Sequence, residues 1–216
     1  MDLDDLRAVL FDMDGTLVDS DAAVERAWHA WAEEYGVDPG AVLTGAHGRP
    51  SDPTVREARP DLDDAGVAQA AARQLELQYT DLSDVREVPG ARDLLRLLDV
   101  LGLPWAIVTS ADRLLTEVRL GAAGLPVPDT LVTCEDISEG KPSPEGYRKA
   151  AAALGVEPAA CLVVEDSEPG LAAGHGAGMR TAALKGLRGD LRLTGLRDLA
   201  ALLSEWTPPR PPAPGR

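Results

Sequence analysis

The chain is poor in cysteine, in long apolar runs and in positive charge. Among its 216 residues only Cys134 and Cys161 are cysteines. Neither belongs to a CxxC pair or has a histidine at ligand spacing, which argues against a disulfide framework or a zinc site. Each falls within an apolar run, so buried, reduced thiols are expected. The longest apolar stretches span about six residues, far short of the roughly 20 that cross a bilayer as a helix. No charged segment followed by an apolar one opens the chain, so no secretory signal is read and a cytoplasmic location is expected. Lys and Arg number 21 against 36 Asp and Glu, a formal net charge of −15. That balance argues against nucleic acid and anionic membrane as partners, and it requires any anionic substrate to be held by a local positive site. No internal repeat is visible, and the apolar share of 44% is that of a globular chain.

What is present begins at the first apolar run. Ala8-Val9-Leu10 leads directly into Phe11-Asp12-Met13-Asp14-Gly15-Thr16-Leu17. Strand side chains alternate, so Asp12 and Asp14 face the same way if the strand continues. Carboxylates that close repel, and either one is protonated or both share a cation. Gly15 and Thr16 supply the backbone freedom to turn out of a sheet. The segment therefore offers a nucleophile, an acid/base and half of a metal site; the plainer alternative is an acidic turn.

The period then becomes helical. Val24, Ala27, Trp28, Trp31, Ala32 and Tyr35 share one face, with Asp19, Ser20 and Asp21 as N-cap candidates. A short helix around 53–58 and an amphipathic run over 67–82 complete a small helical insert. From Pro89-Gly90 a Leu-rich helix is followed by strand candidates at 104–109, 130–133, 161–164 and 181–184, separated by helical runs near 112–121, 144–154 and 168–177. This alternation predicts an α/β fold, a doubly wound parallel sheet of Rossmann-like form. The expected organisation is a core of residues 1–17 and 83–206, an all-helical cap of 18–82 and a Pro-rich, disordered tail of 207–216. The Gly-rich stretch around His175 does not follow the first strand and offers no dinucleotide fingerprint, so His175 reads as a surface residue.

Sheets of this kind bind ligands beyond the carboxyl ends of their strands. There the chain places Thr109-Ser110 leading into Ala111-Asp112, and Glu165-Asp166-Ser167 after the 161–164 run; between them lies Gly140-Lys141-Pro142-Ser143-Pro144. Singly each is ordinary. In this order, over residues 12–167, they resemble the haloacid dehalogenase-like hydrolase superfamily, with its DxDGT, Ser/Thr, Lys and acidic-pair motifs. The resemblance implies a phosphoaspartyl mechanism. Asp12 would be the nucleophile and Asp14 the acid/base. Ser110 and Lys141 would hold the phosphate, with Thr16 and Ala111 at the same site. Mg2+ would be bound by Asp12, the backbone carbonyl of Asp14, Asp166, and Glu165 directly or through water. Asp14 argues for phosphoryl transfer over dehalogenation.

The insert is similar to the small cap placed between the family's first two motifs, and residues 46–57 resemble the His-Gly-Arg segment of glycerol-phosphate and sugar-phosphate phosphatases. His47, Gly48 and Arg49 would then meet the substrate, with loop and helix-capping roles as the alternative. The expected activity is Mg2+-dependent hydrolysis of a small phosphorylated metabolite, glycerol phosphate or a sugar phosphate, by a monomer or weak homodimer. A phosphosugar mutase is the enzymatic alternative. A receiver-like or non-catalytic phosphate-binding module is the other; the DxD on the first strand and Lys141 ahead of the last acidic pair are in the wrong order for a receiver.

Overall fold

A computed structural model describes residue 3 and residues 5–43 and 51–206. The chain starts with strand β1 (Ala8–Phe11) and the two-residue β2 (Val18–Asp19). Helices α1 (Asp21–Tyr35), α2 (Pro39–Leu43), α3 (Ser51–Ala58) and α4 (Asp64–Gln78) follow, and β3 (Arg86–Glu87) returns the chain. The remainder alternates as α5 (Ala91–Leu101), β4 (Trp105–Val108), α6 (Arg113–Ala123), β5 (Leu131–Val132), α7 (Glu145–Leu154), β6 (Cys161–Glu165), α8 (Glu168–Gly176) and β7 (Arg180–Ala183). It ends with β8 (Leu191–Arg192) and α9 (Leu196–Ser204).

Six strands form one parallel sheet in the order β5-β4-β1-β6-β7-β8. A parallel sheet is covered on both faces, so its central strands must be apolar on both sides. β1 satisfies this by alternation: Val9 and Phe11 pack with Leu94, Leu95 and Leu98 of α5 and Leu199 of α9, whereas Ala8 and Leu10 pack with Tyr147 and Ala150 of α7 and Ala173 of α8. Each fully buried leucine contributes about 1.5–3 kcal/mol. The predicted doubly wound sheet is thus present. After β5 the chain crosses β1 to build β6 on the other side, so the reversal of strand order falls beside β1. The crevice expected of such a reversal opens where Asp12, Thr109 and Asp166 follow their strands.

Helices α1 to α4 pack around a core of their own: Trp28, Trp31, Val42, Val55, Val67 and Ala70 are buried together. The Trp31 indole N–H donates to the Ala70 carbonyl at 2.8 Å, and its ring stacks on Tyr35 at 4.6 Å between centroids. The chain enters and leaves this layer side by side, because β2 and β3 pair antiparallel, Val18 with Glu87 and Asp19 with Arg86.

Several elements go beyond the sequence reading. α2, β8, α9 and the β2–β3 pair were not foreseen, and the strands among them are two residues long. Cys161 is buried as expected, but Cys134 is exposed. The apolar run ends at Val132, and Cys134 opens a 3-10 turn with Glu135 and Asp136, none of them buried, at the edge of the cavity described below. Among the described residues, no helix is long and apolar enough to cross a membrane. The expected tail lies outside the described residues.

Candidate active site

β1 delivers Asp12 to the carboxyl edge of the sheet, and a tight turn follows. The Met13 carbonyl accepts from the N–H groups of Leu17 and Val18 at 2.8 and 2.9 Å, and the Gly15 N–H donates to the Val18 carbonyl at 2.7 Å. Gly15 has φ +82°, and a Cβ there would lie 2.0 Å from Oδ2 of Asp166, so the turn admits only glycine. The strand therefore stops before Asp14, and the two carboxylates take different partners. Asp12 Oδ1 accepts from Lys141 Nζ. Asp14 accepts from Ser20 Oγ at 2.6 Å and from Arg119 Nη1 at 2.8 Å. Ser20 holds the N-cap position of α1 as read from the sequence, yet its side chain makes no capping bond; the hydroxyl is spent on Asp14.

Lys141 lies between two carboxylates, with its ammonium 2.7 Å from Glu165 Oε1 as well as against Asp12. Burial alone would depress its pKa; Asp12 and Glu165 overcome that and hold it above the ordinary lysine value. Burial pushes the Asp12 carboxyl well above the usual range against the pull of Lys141, with Glu165 and Asp166 adding to the rise. Glu165, at the end of β6, is fully buried and well supplied with donors. Its Oε1 also accepts from the Tyr147 hydroxyl at 2.9 Å, and Oε2 accepts from the N–H groups of Asp166 and Ser167, both at 3.1 Å, and from Ser167 Oγ at 2.8 Å.

Asp12, Glu165 and Asp166 each present a carboxylate oxygen within 4.8 Å of the others. An all-oxygen set of this kind suits a hard divalent cation such as Mg2+ or Ca2+. The Asp14 side chain is not part of this cluster, being held by Ser20 and Arg119; only its backbone carbonyl is left for a cation. Thr16 is buried and does not line the cavity; its hydroxyl points to Asp166 Oδ1 at 3.5 Å. Burial raises the Asp166 pKa, opposed by Lys185, whose ammonium is 3.0 Å from Asp166 Oδ2 and 3.0 Å from Asp21 Oδ2 at the start of α1.

A cavity of about 440 Å³ lies between this edge of the sheet and α1 and α4. Asp12, Asp14, Ser110 and Asp166 line it from the sheet, and Trp28 and Gln74 from the helices. Ala111 also lines it, its N–H donating to Thr109 Oγ1 at 3.1 Å. His47, Gly48 and Arg49 lie outside the described residues. Polar lining residues missed in the sequence include Arg119, Lys185, Gln74 and Gln78. Lys185 follows the 181–184 run, so asking what lies past that strand, as was done for the others, would have found it. Arg119 and Gln74 are polar residues on the buried faces of α6 and α4, beside Leu115 and Leu120 and beside Val67, Ala70 and Ala71. A break in an apolar stripe was the available signal.

The chain resembles several characterised proteins along most of its length. It is 40% identical over 178 residues to hexitol phosphatase A of Escherichia coli, covering 82% of each protein. It is 35% identical over 194 residues to 2-deoxyglucose-6-phosphate phosphatase 1 of Saccharomyces cerevisiae, covering 81% of this chain and 78% of that one. The crystal structure of a HAD hydrolase, family IA, variant 3, from Entamoeba histolytica shares the fold with a TM-score of 0.80 at 22% identity, covering 93% of this chain and all (100%) of that one. Residues 6–178 match the family model of haloacid dehalogenase-like hydrolases, and the chain belongs to that family.

Proposed function

We propose that the protein hydrolyses the phosphate monoester of a small polyol or sugar, glycerol phosphate included, through an aspartyl-phosphate on Asp12. The observation that carries this reading is the placement of Asp12, which follows the central strand, lines the cavity together with Asp14 and Asp166, and is paired with Lys141. An Asp12 oxygen attacks phosphorus as the bond from phosphorus to the ester oxygen breaks, and that oxygen leaves with a proton from Asp14, which enters this step in its protonated form, held in place by Ser20 and Arg119. Asp14 then takes a proton from the water that cleaves the aspartyl-phosphate, returning both carboxyls to their starting states. Lys141, neutralising Asp12 and fixed by Glu165, keeps the attacking oxygen aimed at the cavity. Ser110 holds a phosphate oxygen at the mouth of β4, where the Ala111 N–H, already given to Thr109 Oγ1, shapes the turn. Asp12, Asp166 and the Asp14 backbone carbonyl would hold Mg2+, which would supply positive charge that offsets repulsion between nucleophile and phosphate. Glu165, its oxygens occupied, orients Lys141.

In this reading residues 18–82 act as a cap over a core of 1–17 and 83–206 and exclude water. The cavity volume suits a small metabolite, and the names of the two curated relatives, a hexitol phosphatase and a 2-deoxyglucose-6-phosphate phosphatase, support a polyol or sugar ester. Two free cysteines fit the cytoplasm. The test is inorganic phosphate release from glycerol, hexitol, hexose and pentose phosphates, with Mg2+ or EDTA, by wild type and Asp12→Asn. Release that needs Mg2+ and vanishes in the variant is expected. Isomerised sugar phosphate without phosphate release would instead identify a mutase.

A further inference from the structure

We propose that Gln74 determines substrate specificity by donating a hydrogen bond to a hydroxyl oxygen of the substrate's non-phosphate part. The inference rests on the reading of the substrate as a hydroxylated phosphate ester. Gln74 is fully buried on the apolar face of α4, where Val67, Ala70 and Ala71 precede it. An amide in that position costs stability unless both ends are bonded. One end is bonded: Gln74 Oε1 accepts from Gln78 Nε2 at 2.7 Å. Gln78 Oε1 accepts in turn from Arg119 Nη2 at 2.7 Å, and Arg119 Nη1 donates to Asp14 Oδ2 at 2.8 Å.

The polarity of this chain has one solution. A guanidinium only donates, so Gln78 must turn its oxygen to Arg119 and its NH2 to Gln74; Gln74 must then turn its oxygen to Gln78. The relay begins at the Asp14 carboxylate and ends in the Gln74 NH2, which has no partner among the described residues. Gln74 lines the cavity, as do Gln78, Arg119 and Asp14. What remains is a buried, oriented donor beside the space the substrate occupies, and it is satisfied by an oxygen acceptor. Arg119 and Gln78 are positioning residues: Arg119 fixes both the Asp14 carboxylate and the amide orientation that presents the donor. A site built to bond a substrate oxygen discriminates against analogues that lack it, because the donor is then left unpaired.

The test compares wild type with Gln74→Leu on hexitol and hexose phosphates and on p-nitrophenyl phosphate, which carries no hydroxyl. Loss of one hydrogen bond corresponds to about a tenfold fall in kcat/KM on the hydroxylated esters, mostly in KM, with a loss under about threefold on the aryl ester. Equal losses on both classes, or no loss on the hydroxylated esters, would overturn the assignment. Mono-deoxy analogues assayed with the wild type address the same bond from the substrate side and need no folded variant. One analogue should lose as much as Gln74→Leu does, with no further loss when analogue and variant are combined; if every deoxy analogue is turned over as well as the parent, the assignment falls. A wild type inactive on every hydroxylated ester would overturn the phosphatase reading itself, and this inference with it.

Discussion

Asp12 and Asp14 leave the same strand two residues apart and meet different surroundings, which is the basis for the two different roles proposed for them. Asp12 is buried against Lys141; Asp14 is gripped by Ser20 and Arg119 at the cavity wall. If Asp14 moves the proton of the leaving oxygen, Asp14→Asn should slow a poor leaving group more than a good one. Alkyl phosphate turnover is expected to fall by at least about a hundredfold, and p-nitrophenyl phosphate turnover far less, in steady-state assays of both esters. Equal losses would remove the acid role. Asp12, Asp14, Lys141 and Asp166 were legible because each adjoins a strand end or a loop that sequence alone marks. Arg119 and Gln74 were not, because their meaning arises only when α6 meets α4 through the Arg119–Gln78 bond, between positions 41 residues apart.

At the scale of elements, the β6–α8 corner shows how a helix start can set a side chain in the core. Ser167 caps α8, its Oγ accepting from the Gly170 N–H at 3.2 Å, and the same hydroxyl donates to Glu165. Gly170 leaves room for that carboxylate: a Cβ there would lie 1.7 Å from Glu165 Oε1. Gly170→Ala must therefore dislodge Glu165 from its donors and from Lys141. A cost of about 3 kcal/mol in chemical denaturation is expected, together with at least a tenfold fall in kcat. An unchanged kcat would show that Glu165 does not orient Lys141. The turn after β5 gives a pH-dependent counterpart. Asp136 accepts from the Thr133 N–H at 2.9 Å and the Thr133 hydroxyl at 3.0 Å, and the backbone bond above all holds its pKa below the ordinary value. A depressed folded-state pKa adds stability above the unfolded pKa and loses it as pH falls through the folded one. Asp136→Asn should thus cost about 0.5 kcal/mol near neutrality, discounted for exposure, and less as pH falls below the unfolded pKa, as urea midpoints at pH 7 and pH 3 would reveal. The strands of four or five residues were legible as apolar runs; β2, β3 and β8 were not, since two residues carry no period and are fixed only by their partners.

At the scale of the whole molecule, a net charge of −15 faces a substrate that is itself an anion. Composition alone requires a local positive site, yet among the described residues the side chains around the cavity do not make one. Asp12, Asp14, Asp21, Asp52, Asp112 and Asp166 line it, against Arg119 and Lys185. Both cations are already paired, Arg119 with Asp14 and Lys185 with Asp21 and Asp166, and Lys141 is taken up by Asp12 and Glu165. Among the described residues the cavity side chains thus offer no unpaired cation to phosphate, and in the proposed mechanism a divalent cation on the acidic cluster would supply the attraction. The metal should then govern binding as well as turnover. Inorganic phosphate at about 100 times its Kd should raise the melting temperature by several degrees in Mg2+, since that occupancy adds about 2.7 kcal/mol, and by almost nothing in EDTA. Raising the salt from about 0.01 to 0.15 M shortens the screening length from about 30 to 8 Å and weakens the long-range repulsion, so KM should fall with salt while Mg2+ is saturating. Phosphate that stabilises the protein equally in EDTA would mean that the lysines and Arg119 suffice to hold it, and the cation would lose its part in binding.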